Sequence, residues 1–361
     1  MDYEKILEEQ FNNVIDEETI DGIAGQAGDI TYGLSQQFSL ENIFNATVKG
    51  ESIFNNPDVI DSLKDLFFYE VKSALVLAVE ILSVCIIIGL LKNLSSSFSS
   101  KSVSDISMMV CTMVIIGLAI NNFRVSYDLA IDTVGTMADT MAVLAPILLG
   151  IMVSTGAVTS GTVLSPLIIG SISGIALIVK PFILPALFTA TILSLINCIT
   201  EKDYVNKIAK LLRNASVAVM GLLMVILTGI ISIQGLLTDT SDGLLINTAK
   251  YSLSSFIPIV GGFTSDTVEL FLRCMSSIKS VVGVFGIILI LLLILVPLIK
   301  IIIIACVYKL TAALCEPVTD SKISDGLSDM GSCLISIGSI MFFNALLFIM
   351  FITTIMKIGG G

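Results

Sequence analysis

VVGVFGIILILLLILVPLIKIIIIACVYKL, residues 281–310, carries a single charge between Val281 and Tyr308, at Lys300. A hydrocarbon core about 30 Å thick takes roughly 20 residues of helix to cross, and few soluble folds tolerate so long an apolar run. The stretch therefore reads as a membrane span. Upstream of it the order changes. YSLSSFIPIVGGFTSDTVELFLRC, residues 251–274, is apolar but interrupted at Pro258-x-x-Gly261-Gly262, and a short polar joint at Ser276–Ser280 separates it from the span.

Composition extends this reading to the whole chain. Of 361 residues, 55% are hydrophobic and 14% charged, and the mean hydropathy is +0.97. These values belong to polytopic membrane proteins. The net charge of −11 is localised: residues 1–71 hold 15 acids and 3 bases, a net of −12, and residues 72–361 hold 15 acids and 16 bases, a net of +1. Two regions follow, an acidic N-terminal segment (1–71) and a nearly neutral membrane domain (72–361).

The segment 1–55 has apolar groupings too short for a core of its own. Asn56-Pro57-Asp58 marks a helix start, with Pro at the first helical position and an acid in the first turn. Ile60, Leu63, Phe67 and Val71 continue at helical spacing toward a first span at Lys72–Leu91. The leader question stays open on these residues: MDYEKILEEQ has no apolar h-region, so either Tyr69–Leu91 is its own signal anchor or a removed leader precedes the numbering.

Charge bias sets the expected topology. The loop after the first span holds Lys92 and Lys101 and no acid, which places the N-terminal segment outside the cytoplasm. A short second span is expected at about Ile106–Ile120, followed by an outer loop to Thr140 carrying Arg124, Asp128, Asp132 and Asp139. Three spans fit between Met141 and Ile199, with breaks at 154–161 and at Lys180-Pro181. Residues 201–214 are cytoplasmic, Ala215–Leu237 is a span, and 238–280 returns outside. The span 281–308, a cytoplasmic loop and a last span at Gly331–Ile355 complete the count. The fold class is all-α, a polytopic transmembrane bundle of about eight spans (range 6–9) with both termini outside.

Glu80 and Lys300 are the charges most clearly at membrane depth, where an ionisable group marks a polar pathway or a partner. Glu80 is expected to face another helix or a wet cavity, and Lys300 to snorkel from the inner part of its span. The break at Pro258, Gly261 and Gly262, with Asp266 beyond it, describes either a re-entrant helical hairpin or an amphipathic hairpin lying on the outer face. The chain has no His and no Trp, which excludes histidine-dependent catalysis and histidine metal ligation. Its seven cysteines form no C-x-x-C pair and read as small hydrophobes. Phosphate-loop, H-E-x-x-H and nucleophile-elbow signatures are missing, as is any basic cluster for nucleic acid. No enzyme, cofactor or metal site is expected.

FIPIVGGFTSD (256–266), IKSVVGVFG (278–286), VPLIKI (296–301) and YKLTAALCEPVTD (308–320), preceded by LTGIISIQGL (227–236), resemble the stage III sporulation protein AE family of endospore-forming bacteria. The resemblance covers about 227–330 well and agrees in layout over 72–226. It implies a subunit of a multiprotein channel between mother cell and forespore, acting as scaffold or conduit. The membrane would be the mother-cell-derived outer forespore membrane. The partners would be other proteins of the stage III sporulation operon, including an ATPase and ring-forming subunits, with further copies of the chain also candidates. Family members usually begin with a cleaved leader, so the resemblance implies mature-form numbering. The residues by themselves also allow a stand-alone secondary transporter whose pathway uses Glu80 and the 256–266 break.

Overall fold

A computed structural model of the chain describes residues 57–95, 101–155, 157, 166, 169–175, 177–199, 205–229, 261–319 and 321–357. Among these there is no strand. The helices are α1 (Pro57–Ser95), α2 (Lys101–Ser154), α3 (Leu184–Ile199, entered through a π turn at Val179–Ile183), α4 (Asn206–Gly229), α5 (Gly261–Cys315) and α6 (Ser321–Lys357). Six helical stretches among the described residues are long and apolar enough to cross a membrane. The chain is thus an all-α polytopic bundle, with a count at the lower end of the expected range.

Among the described residues, two spans fewer than expected arise between 106 and 199, for two physical reasons. Residues 121–140, expected to be an outer loop, continue α2 without a break. Phe123, Ser126, Ala130, Val134, Met137 and Met141 recur at three- and four-residue intervals and are buried, so this stretch packs as a helix while its charges occupy the opposite face. α2 does end at Ser154, where a break was expected. The second expected break, Lys180-Pro181, is instead a π turn inside one helical stretch, Ile169–Ile199. Proline lacks the amide donor, and a widened turn absorbs that loss without ending the helix.

The joint at Ser276–Ser280 is also helical, lying within α5. Ser280 donates its hydroxyl to the Ser276 carbonyl at 3.0 Å, so a polar residue costs this helix no unpaired group. Gly261 and Gly262 are the first residues of α5, which runs on through Asp266. Pro258 and the rest of 251–260 lie outside the described residues, as do residues 1–56 and 230–250.

α5 is the central helix, packed against α1, α2 and α6. α6 folds back along it after a turn at Glu316–Thr319 and also packs on α2 and α3. The α5–α6 pair is close because Gly331 leaves room: a Cβ there would come within 2.9 Å of the Ala305 carbonyl oxygen. Met356 packs over Gly283 at the other end of the pair. α2 runs antiparallel to α5, tied by Tyr308 Oη, which donates to the Ala119 carbonyl at 2.8 Å, and by Leu144 over Gly286. One core joins all of these, from Leu77 and Ile81 on α1 to Phe348 and Ile352 on α6.

Candidate functional site

Among the described residues, charged side chains form four notable groups along the bundle, which the helix registers fix relative to one another. The first is an ion pair between α1 and α5. Lys300 Nζ lies 3.3 Å from Glu70 Oε1, with the Glu70 side chain 10% exposed and Lys300 30%. Ala74 and Ala78 then meet Ile303 and Val307, Cys85 Sγ lies 2.6 Å from Cys315 Sγ, and Val318 packs over Gly89. α1 is therefore parallel to α5 with a constant offset in register. Lys300 sits beside Glu70, just before the expected first span, where an inner position and a lone snorkelling ammonium were expected.

The second place is Glu80. It is exposed on the outward face of α1, among exposed Val76, Val79, Ile86, Ile87 and Leu90. The structure therefore does not bring it against another helix of this chain. Nor does it bring it near Lys300, whose partner lies ten residues earlier on α1, about 15 Å away at 1.5 Å per residue. Among the described residues its carboxylate makes no ion pair or hydrogen bond. A charge at membrane depth that points away from its own bundle is costly in lipid, by about 2.5–3.5 kcal/mol on insertion scales.

Asp329 on α6 forms the third. Ser194 Oγ of α3 donates to Asp329 Oδ2 at 2.7 Å, and Arg213 Nη1 of α4 donates to Asp329 Oδ1 at 3.3 Å. Both side chains of the ion pair are 19% exposed. One carboxylate thus clamps three helices. The Cys198 thiol reaches the Lys322 carbonyl beside it at 3.2 Å. Sequence reading assigned both 201–214 and the 310–330 region to one side of the membrane but did not pair Arg213 with Asp329. Pairing them requires knowing that α4 lies against α6.

The fourth place is the outward face of α2. Arg124 Nε lies 3.6 Å from Asp128 Oδ2, and Asp132 and Asp139 are exposed farther along the same face. Gly135 lies between these two aspartates, and the Lys180 ammonium of the π turn rests where a Cβ on Gly135 would be, 2.6 Å away. The lack of a side chain at 135 is what admits the lysine. Among the described residues no group of three or more acids, cysteines or histidines could hold a metal ion.

No solved structure matches the chain. It is 28% identical over 329 residues to "Stage III sporulation protein AE" of Bacillus subtilis (strain 168), which covers 90% of this chain and 81% of that protein. The family profile described as Stage III sporulation protein AE matches residues 38–359. With nearly the whole membrane bundle inside that match, the chain belongs to the stage III sporulation protein AE family.

Proposed function

We propose that this sporulation protein is an integral subunit of a multiprotein trans-envelope complex between mother cell and forespore, acting as a scaffold or conduit. It would reside in the mother-cell-derived outer forespore membrane with its N-terminal segment outside the cytoplasm. Its partners would be other proteins of the stage III sporulation operon, including an ATPase and ring-forming subunits.

Glu80 carries the reading. A self-contained transporter would turn a functional intramembrane carboxylate toward its own interior, whereas Glu80 faces outward from the middle of an apolar helix face. The surroundings that suit it are a polar or basic group on a neighbouring membrane subunit. The test uses Glu80→Leu, which matches the lipid-facing character of its neighbours and so should not impair insertion, and Glu80→Gln, which keeps hydrogen bonding. From sporulating cells, the leucine variant should be present at wild-type abundance yet lose co-purifying partners and spore yield, while the glutamine variant retains both. A leucine variant that assembles and sporulates normally would sink the proposal. So would purified wild-type chain that moves solute on its own in liposomes.

A further inference from the structure

We infer that the bilayer meets this chain along a slanted band, so that the charged face of α2 opens onto a water-filled notch beside the apolar bundle. The argument rests on positions along the bundle axis, which α5 measures for every neighbour. On the α1 flank, Glu70 lies beside Lys300 and Cys85 beside Cys315, a constant offset. The outward apolar residues of α1, from Val76 to Leu90, therefore lie beside the last turns of α5 and its turn into α6.

The opposite flank is different. α4 is tied to α6 by Arg213–Asp329 at one end and by Thr228 to Met350 at the other. α6 in turn is registered on α5 by Gly331 against Tyr308 and Lys309, Gly338 against Leu298 and Ile301, and Gly283 against Met356. The uninterrupted outward apolar face of α4, Val219, Leu222, Val225 and Ile226, then lies beside the middle and earlier turns of α5, whereas exposed Ile208 and Leu211 alternate with exposed Lys207 and Lys210 at the charged start of α4. The two apolar surfaces are displaced by about 15 residues of α5, or roughly 20 Å at 1.5 Å per residue.

Polar groups fill the complementary corners. Beside the end of α5 where α1 is apolar, the α4 flank carries Arg213, Asp325 and Asp329. Beside the middle of α5, where α4 is apolar, the α1 flank carries the exposed Lys64–Asp61 pair at 2.8 Å and exposed Asp65. The exposed aromatics Phe67, Phe68 and Tyr69 follow immediately, as interfacial anchors do. The charged face of α2 lies at this same level. Ala119 and Leu144 bracket it against Tyr308 and Gly286, and between them stand Arg124, Asp128, Asp132 and Asp139, with Lys180 over Gly135. Two helices on one flank are thus polar and exposed where the opposite flank is apolar and exposed.

A level bilayer would have to bury one set of charges in lipid. A bilayer crossing about 20 Å lower on the α1 flank buries neither set, with Glu80 of α1 still at membrane depth. Spread over roughly three interhelical spacings of 8–10 Å, that displacement corresponds to a tilt of about 40°, at the upper end of observed helix tilts. The notch opens on the side of the membrane where α1 begins, lined by Asp61, Lys64 and Asp65 of α1, Asp132 and Asp139 of α2, and Lys180.

Level-matched pairs on opposite flanks test this. Interpolated between the contacts above, Asp132 matches Leu222, and Asp139 matches Ile226. Each is replaced singly by Cys in the full-length chain freed of its native cysteines, spin-labelled and reconstituted in lipid vesicles. The labels at 132 and 139 should relax with a water-soluble nickel chelate, and those at 222 and 226 with oxygen. The nickel-to-oxygen accessibility ratio should differ several-fold within each pair. Val79→Cys and Met113→Cys, on the low apolar flank, should behave like the α4 labels. Equal ratios within the pairs would mean a level bilayer and overturn the inference. Labels at 132 and 139 shielded from both reagents would also overturn it, because protein would then cover the face.

Discussion

Replacing Asp329 by Ala should release α4 from the bundle before the rest unfolds. α4 has little else to hold it: 11% of its apolar stretch is buried in the chain, against 56% for α6. Asp329 receives Ser194 at 2.7 Å and Arg213 at 3.3 Å, with both members of the ion pair 19% exposed. Breaking a fully buried pair by removing one partner costs about 3–5 kcal/mol, and exposed pairs are worth roughly 0–1 kcal/mol. The residual exposure places this one between, at about 2 kcal/mol of coupling. The hydrogen bond from Ser194 to a charged acceptor adds about 1.5 kcal/mol. Asp329→Ala should therefore destabilise by roughly 3.5 kcal/mol, and Asp329→Asn, which keeps an acceptor for Ser194, by about half of that. A double-mutant cycle with Arg213→Ala, read by reversible unfolding in bicelles, isolates the pair. Hydrogen exchange of the α4 amides should accelerate well before that of α5. A coupling below about 0.5 kcal/mol, with α4 exchange unchanged, would refute the clamp.

Cys85 and Cys315, with sulfurs 2.6 Å apart, should cross-link under an oxidising catalyst in a chain retaining just these two cysteines; protease fragments carrying α1 and α5 should then co-migrate until reduced, and failure to do so would contradict the parallel register of α1 on α5. Gly331→Leu should cost about 1–3 kcal/mol by overpacking against the Ala305 carbonyl. Gly117→Ala, with nothing within 4 Å of its Cβ, should be neutral or stabilising by up to about 1 kcal/mol, and equal effects on thermal unfolding would remove Gly331 as the contact that sets the α5–α6 distance. Glu70→Gln should destabilise the seating of α1 by about 1–2 kcal/mol and Lys300→Met should recover part of that loss in the double variant, because a lone half-buried charge is worse than none; additive losses would show that the two do not interact.

Apolar run length made the membrane bundle legible in the sequence, and the α5 run needed no tertiary knowledge. Charges misled the reading of α2. Arg124, Asp128, Asp132 and Asp139 looked like loop residues because charges mark loops in an upright bundle. The buried repeat from Phe123 through Met141 was present in the same stretch and was the stronger signal. Glu70 was missed as the partner of Lys300 for a different reason. The two are far apart in sequence, and only the register of α1 on α5 brings them together. The Asp329 clamp shares that obstacle across three helices. Glu80 was recognisable as unusual from the sequence, but which way it points depends on the face α1 presents to α5, and Ala74, Ala78 and Ile81 decide that by packing inward.

The central position of α5 has a consequence for biosynthesis. The helix that α1 and α2 both pack against emerges from the ribosome after both of them. Between the end of α1 at Ser95 and the end of α5 at Cys315 lie 220 residues. At about 5–20 residues per second, that interval is roughly 11–44 s. During it the faces bearing Leu77, Ile81, Cys85 and Ile88 wait in the membrane without α5. Lipid is their first neighbour, and α5 must displace it. The newborn chain is thus a loosely associated set of early helices that the C-terminal pair closes, and truncation before Cys315 would leave that set unassembled.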